Sequence, residues 1–295
     1  MNYRHAYHAG NFADVIKHAV LALVIEHLKR KPAPFRVIDT HAGIGVYDLT
    51  AEEAVKTGEW HDGIGRIWQG PGSSPLPDNI HDVLAPYLAT VRSLNEGDDL
   101  RIYPGSPFVA KALMRPQDVL MVNELHPGDH QVLLRRLRSD ARARVTNIDG
   151  WIALRSVLPP KERRGVVLID PPFEVEGERG RLVSGLKDGL ARFATGTYLL
   201  WYPIKELAPV AALKREIVAS GVEKLLCAEL FVHRPGDPRR LNGCGLLVVN
   251  PPYQLDERLR VLLPFLVERL GQSPDACFNL TWLATEGQAG RGKRT

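Results

Sequence analysis

A chain of 295 residues, 44% of them hydrophobic, can bury a substantial core as one large domain or two small ones. Its formal net charge of +4 permits a nucleic-acid partner without requiring one. Cys227, Cys244 and Cys277 are scattered and form no CxxC pair, which argues against a zinc ribbon or a disulfide framework and for a reducing cytoplasm. No apolar run approaches the ~18 residues of a membrane span. The opening MNYRHAYHAG places charge and histidine before any apolar stretch, unlike a signal peptide.

From Asp14 to about Arg30, apolar residues recur at helical spacing (Val15, Ile16, Ala19, Leu23, Ile25, Leu28), and Pro32 and Pro34 stop the helix. FRVIDTHAGIG follows, a short apolar run ending in an acid and a glycine-rich turn. Residues 47–100 break the rhythm. Helical patterns around Leu49 to Lys56 and Ile80 to Leu94 flank the Gly/Pro/Ser-rich QGPGSSPLPD, which reads as an inserted helical subdomain with a mobile loop. The main domain is expected over 1–46 and 101–284, with a disordered basic tail at 285–295. Core alternation resumes with a helix from Phe108 to Met114, the strand DVLMVNEL and a helix from His130 to Arg138. The strands ARVTNID and GVVLIDPPF, a helix around Leu182 to Phe193 and the strand TYLLWYPI follow. Such alternation predicts a doubly wound α/β fold with a mostly parallel sheet. KLLCAELFVHR and GCGLLVVNPPY, joined by a Pro/Gly/Asn-rich turn, read as an antiparallel pair at its C-terminal edge.

In an open parallel sheet, ligands bind beyond the carboxyl ends of the strands. Asp39 closes the first strand and is followed by His41, Gly43 and Gly45, where missing β-carbons let backbone approach a ligand. A plain turn needing positive φ is the alternative. Glu124 closes the second strand, where an acid accepts hydrogen bonds from both hydroxyls of a ribose. Pro104-Gly105-Ser106 opens the first connecting helix and brings Ser106 to the same rim. Asp149-Gly150 closes the third strand, as an acceptor for an adenine amino group or as a helix cap.

Asp170-Pro171-Pro172-Phe173, after the apolar run VVLI, is the most specific feature. An exocyclic adenine amine is a poor nucleophile because its lone pair is delocalised into the ring. A carboxylate at Asp170 and the carbonyl of Pro171 can both accept from that amine and favour its pyramidal form. The prolines stiffen the loop, and Phe173 offers a flat face to an extruded base. Orientation and local electrostatics would carry the rate. Asn250-Pro251-Pro252-Tyr253 fits the same pattern, but it ends a strand expected to run antiparallel and so falls on the opposite rim. The chemistry is assigned to Asp170 and a structural role to Asn250.

The N-terminal YRHAYHAGNFADVIKH gathers Tyr3, Arg4, His5, His8, Asp14, Lys17 and His18. Its spacings match no familiar metal site, and no metal is expected. Either this is a solvated face or the segment closes over the site, with His18 toward a cofactor and Tyr3, His5 and Lys17 toward the target base.

YRHAYHAGNFADVIKH, DTHAGIGVYDL, YPGSP, ELHP, DPPF and LNGCGLLVVNPPY together resemble the RlmJ-type 23S ribosomal RNA adenine-N6 methyltransferases, over nearly the whole chain up to about Ala284. The resemblance implies a Rossmann-like class I methyltransferase with a small helical insertion, S-adenosyl-L-methionine as methyl donor, and one adenine of 23S rRNA as substrate. That RNA would be free or in an early assembly intermediate, with no obligate protein partner and a cytoplasmic setting. By motif position it implies cofactor contacts at His18, His41, Ser106, Glu124, Asp149, Gly150 and Asp170. It implies catalysis by Asp170, and substrate contacts at Tyr3, His5 and Lys17. The family's tetrapeptide commonly ends in Tyr; Phe173 keeps the stacking face and loses a hydroxyl. An adenine-N6 methyltransferase acting on DNA is the alternative reading, disfavoured by the small size of the insertion.

Overall fold

The computed structural model of the chain describes residues 4–68, 75–174 and 176–286. Tyr3, residues 69–74 of the Pro/Gly/Ser segment and the tail from 287 onward lie outside them, and so do the expectations placed there.

A 3-10 turn, His5–Tyr7, leads into helix α1 (Phe12–Lys29). The helix begins two residues before Asp14 because Asn11 caps it, its Oδ1 accepting the amide hydrogens of Ala13 and Asp14. Residues 12–25 are all buried, so α1 is a central helix and not an amphipathic surface one. Strand β1 (Arg36–Asp39) follows, then β2 (Val46–Asp48), which pairs antiparallel with the later β3 (Ile102–Pro104). That hairpin is the neck of the segment containing α2 (Glu52–Thr57), two 3-10 turns (Glu59–Asp62 and Ile64–Arg66) and α3 (Asp78–Arg92). Ile64, Leu84 and Tyr87 of this segment are buried in the same apolar cluster as α1.

The remaining elements alternate: α4 (Ser106–Leu113), β4 (Val119–Asn123), α5 (Pro127–Leu137), β5 (Ala143–Thr146), α6 (Gly150–Val157), β6 (Gly165–Ile169), α7 (Glu178–Arg192), β7 (Thr197–Ile204), α8 (Leu207–Ala219) and β8 (Leu225–Phe231). The chain closes with β9 (Gly243–Val249), α9 (Leu255–Leu270) and β10 (Cys277–Ala284). The sheet order is β10-β8-β9-β7-β6-β1-β4-β5. β1 pairs parallel with both β4 and β6, so the strand order reverses at β1 and the ligand crevice lies beyond its carboxyl end. β9 runs antiparallel between β7 and β8, and β10 forms the edge, antiparallel to β8. The edge is thus one strand further out than the β8/β9 pair expected from sequence.

β6 shows why these runs read as solid apolar stretches. Val166 and Leu168 enter the cluster around α1, while Val167 and Ile169 enter a second cluster on the other face with Trp151, Leu182 and Leu213. A strand covered by helices on both faces has no polar side to alternate with.

Candidate active site

Four strands deliver acids to one rim. Asp39, at the end of β1, is 2% exposed; it accepts the Ser106 hydroxyl at 2.7 Å and the His41 amide at 3.2 Å. Burial pushes its carboxyl up to about 6, against these hydrogen bonds. Glu124, just past β4, is held by two backbone amides, Gly43 N–H on Oε2 and His126 N–H on Oε1, both at 2.8 Å. Each oxygen keeps a further lone pair for a ligand hydroxyl. Gly43 has φ +60°, and a β-carbon there would stand 2.2 Å from the Tyr47 hydroxyl oxygen. Glycine is therefore required both by conformation and by space.

Asp149 is a helix cap, the alternative left open by its sequence. Its Oδ1 accepts the Trp151 and Ile152 amides at the start of α6, and its Oδ2 meets Arg181 at 2.6 Å. Gly150 packs against the β1 loop: a β-carbon there would lie 2.6 Å from His41 Nε2. His41 itself rests edge-on to Trp151 and contacts Thr40 Oγ1 at 2.8 Å. Burial pushes its pKa down to about 4, so the ring is neutral near pH 7. Glu124, Gly43, His41, Gly150 and Asp149 thus form one connected wall.

Asp170 sits at the tip of β6 on the same rim. Its Oδ2 receives the Lys17 ammonium at 2.6 Å. Lys17 also reaches Asp14 Oδ1 at 2.7 Å, while Asp14 Oδ2 takes His5 Nε2 at 2.8 Å and the Gly10 amide at 2.9 Å. The solvated-face alternative for this segment fails, because Asp14, Lys17 and His18 are 1%, 4% and 1% exposed. Charges so buried persist only when paired. Burial drives Lys17 toward its neutral form, yet Asp14 and Asp170 outweigh it and hold the ammonium well above the ordinary lysine pKa. Asp14, which burial would raise, is held well below the usual carboxylate range by His5 and Lys17. Lys17 therefore meets a carboxylate of the rim, not open space awaiting a base. His18 Nδ1 lies 2.8 Å from the Tyr103 hydroxyl and its Nε2 3.9 Å from Asp14 Oδ1, and burial pushes its pKa down to about 3.

Phe173 carries φ +54°, a conformation costly for an aromatic residue, and its ring lies 5.9 Å from that of Trp201 on β7. In the second copy of the tetrapeptide, positive φ falls on Asn250 instead, and Tyr253 is 76% exposed. Asn250 Nδ2 donates to the Ala194 and Gly196 carbonyls at 2.8 Å, and its own carbonyl accepts the Thr197 hydroxyl. It pins the start of β7 at the opposite rim, as its place on an antiparallel strand requires.

Sequence reasoning gathered Asp14 into the N-terminal cluster but gave it no role at the site, although its spacing of three from Lys17 and four from His18 puts all three on one helical face. It missed Arg181, Trp201 and Glu59 altogether. Glu59, in the inserted segment, accepts from His8 Nδ1 at 3.0 Å and Asn11 Nδ2 at 2.9 Å. Ile64 N–H donates to the Gly10 carbonyl, Thr57 Oγ1 to that of Tyr7, and Arg4 reaches Asp129 of α5 at 3.7 Å. The segment between β2 and β3, with Asp129 of α5, thereby holds the N-terminal residues in place. Among the described residues no group of three or more His, Cys, Asp or Glu is arranged to hold a metal ion.

Residues 32–284 match the family model described as ribosomal RNA large subunit methyltransferase D, RlmJ. The chain is 42% identical to ribosomal RNA large subunit methyltransferase J of Escherichia coli (strain K12), with 97% of this chain and all of that protein aligned. It is 39% identical to the protein of the same name from Haemophilus influenzae, with the same coverage. A crystal structure of a Legionella pneumophila protein superposes with a TM-score of 0.83 at 30% identity, covering 93% of this chain and 98% of that one.

Proposed function

The chain belongs to the RlmJ family of ribosomal RNA large-subunit methyltransferases, and from that premise we propose that its rim of strand-end acids transfers a methyl group from S-adenosyl-L-methionine to N6 of one adenine in 23S rRNA. The observation that carries the reading is the fixed Asp170 carboxylate: one oxygen is locked by Lys17 at 2.6 Å, and the Pro171 carbonyl follows it in a loop whose next aromatic is held against Trp201.

The residues present fit the donor. The cradle at Gly43 that a β-carbon would close, and the doubly anchored Glu124 carboxylate, suit an adenosyl ribose. Asp149 and Gly150 would take its adenine, with His41 beside them, and Asp39 through Ser106, together with His18, would shape the amino-acid end. Bound there, the donor supplies an electrophilic sulfonium methyl.

Everything else falls to the chain. Asp170 Oδ1 and the Pro171 carbonyl each accept one N–H of the target amine, drawing the nitrogen toward a pyramidal, nucleophilic form. Lys17 stays charged and fixes the carboxylate so that it does not reorient during the reaction, which is preorganised electrostatics. Phe173, with Trp201 behind it, offers the stacking surface for a base taken out of its helix. His5 closes the opposite side. The proton that leaves the amine passes to Asp170 and on to water, and no covalent enzyme intermediate forms.

No helix among the described residues is long and apolar enough to cross a membrane; separately, an rRNA substrate supports a cytoplasmic setting for the reaction. The RNA is met free or in an early assembly intermediate, where the target adenine can still be extruded, without an obligate protein partner. Mass-spectrometric mapping of N6-methyladenosine tests all of this, after incubation with labelled donor and, separately, free 23S rRNA, assembled large subunit and duplex DNA. One methylated adenine in the free RNA, with little in the other two, is expected. Efficient methylation of DNA would overturn the substrate assignment.

A further inference from the structure

The wall beside Asp170 is taller than its neighbours. β6 and β7 are in register to Ile169 and Leu200, and β7 then continues to Ile204. Four further residues at roughly 3.3 Å each raise it about 13 Å above the catalytic tip. β9 starts opposite Ile204, and β8 ends opposite the same Gly243, so the connection 232–242 stands on top of this wall, on the catalytic rim. Hairpin connections need only about two to five residues, and this one is much longer.

Its length is not slack. Asn242, 1% exposed, donates its side-chain amide to the Lys205 and Asp237 carbonyls at 2.8 and 2.9 Å, and its backbone amide to Ile204. The Val232 and His233 amides both return to the Asn242 carbonyl at 3.0 Å. On this pinned base Arg234, Arg239 and Arg240 are exposed, with Lys205 beside them. The local acids are Asp237, which pairs with Arg239, and Glu206. Among the described residues the side chains of Arg234, Arg240 and Lys205 have no hydrogen-bond or ion-pair partner. A base pinned through Asn242 and four cations against Asp237, which pairs with Arg239 and feels Arg240, and Glu206 mark a surface suited to an external polyanion.

Building on the rRNA reading above, we infer that the loop 232–242, through Arg234 and Arg240 and with Lys205, grips phosphates of the RNA strand next to the target adenine. Its place explains the height of the wall. A base lowered to Asp170 against Phe173 leaves its flanking backbone at the crest, where the guanidinium groups stand. Phosphate contacts of this kind position the RNA without reading its sequence.

The test uses the full chain carrying Arg234→Gln and Arg240→Gln together, both exposed and therefore tolerated by the fold. Arg138→Gln with Arg144→Gln, near the far edge strand β5, is the charge-matched control. Methylation of 23S rRNA is measured against RNA concentration and salt, alongside donor affinity. The loop variant should raise KM for RNA about tenfold, keep kcat at saturating RNA and donor affinity within about twofold, and flatten the log–log salt dependence by about 1.4. That flattening is about 0.7 for each of two single-strand phosphates lost. The control should leave all of these unchanged. Unaltered KM and salt slope in the loop variant, or an equal shift in the control, overturns the inference while the methyltransferase reading stands. Wild-type protein that binds the donor yet methylates no RNA overturns the reading beneath it.

Discussion

Replacing Lys17 by Met removes one cation from between two carboxylates and keeps the volume of the chain. In the structure its ammonium spans Asp14 at 2.7 Å and Asp170 at 2.6 Å while 4% exposed. Stripping one partner from a buried ion pair costs about 3–5 kcal/mol, so Tm should fall by about 6–10 °C at roughly 2 °C per kcal/mol for a chain of this size. The pH dependence is the sharper readout. In the wild type Asp14 is depressed, so its contribution is present above about pH 4 and is lost as pH falls below that value. Lys17 is raised, so its contribution is full below about pH 10.5 and lost only above. Stability should be flat between pH 5 and 9 as far as this pair is concerned. In Lys17→Met, Asp14 keeps only His5 and the partly buried Asp170 loses the ammonium between them, the folded state binds a proton more tightly than the unfolded one, and stability should instead fall as pH rises from 5 to 8. Adding Asp14→Asn should restore part of the loss. Thermal melts at pH 5 and 8, with methyl-transfer rates on 23S rRNA, measure both effects. A Lys17→Met variant melting within 2 °C of wild type, with the same pH profile, would refute the reasoning.

Asp39, pushed up to about 6, makes folding less favourable as pH rises from about 4 to 6, by up to roughly 3 kcal/mol at 1.36 per unit. Asp39→Asn should abolish that slope in melts across pH 4–7. Glu59→Gln weakens the hold on His8 and Asn11; KM for RNA should rise about 3–10-fold with donor affinity unchanged, and an unchanged KM would remove the insertion's role in placing the N-terminal segment. Asn250→Ala removes two side-chain hydrogen bonds at the start of β7, which should cost about 1–3 kcal/mol in denaturant unfolding and leave kcat near wild type. A large rate loss in a folded Asn250→Ala protein would transfer the chemistry to the second tetrapeptide.

Strands β1, β4, β5 and β6 were legible because each is a short run that closes, within a few residues, on an acid. The C-terminal part was less so, for particular reasons. β10 is an edge strand with both faces partly exposed, so Cys277 to Ala284 shows no clean alternation. α9 contains Pro264, which masks its helical stripe, whereas α8 did carry a readable one in Val210, Leu213 and Ile217. At the site, Asp170, Glu124 and Asp149 were visible as strand ends, since strand ends on one rim converge by topology alone. The pairing of Lys17 with Asp170 was not, because it joins residues 153 positions apart and depends on how α1 crosses the sheet. Nor was the Glu59 clasp, for the same reason.

The central claim concerns the Asp170 carboxylate as acceptor of the target amine, and Asp170→Ala tests it most directly when donor affinity and single-turnover methylation of 23S rRNA are measured on one preparation. Donor affinity should stay within about threefold, while the methylation rate falls by about 10²–10³, equivalent to about 2.7–4 kcal/mol of lost transition-state stabilisation. Near-normal methylation by a variant that still binds the donor would contradict the account.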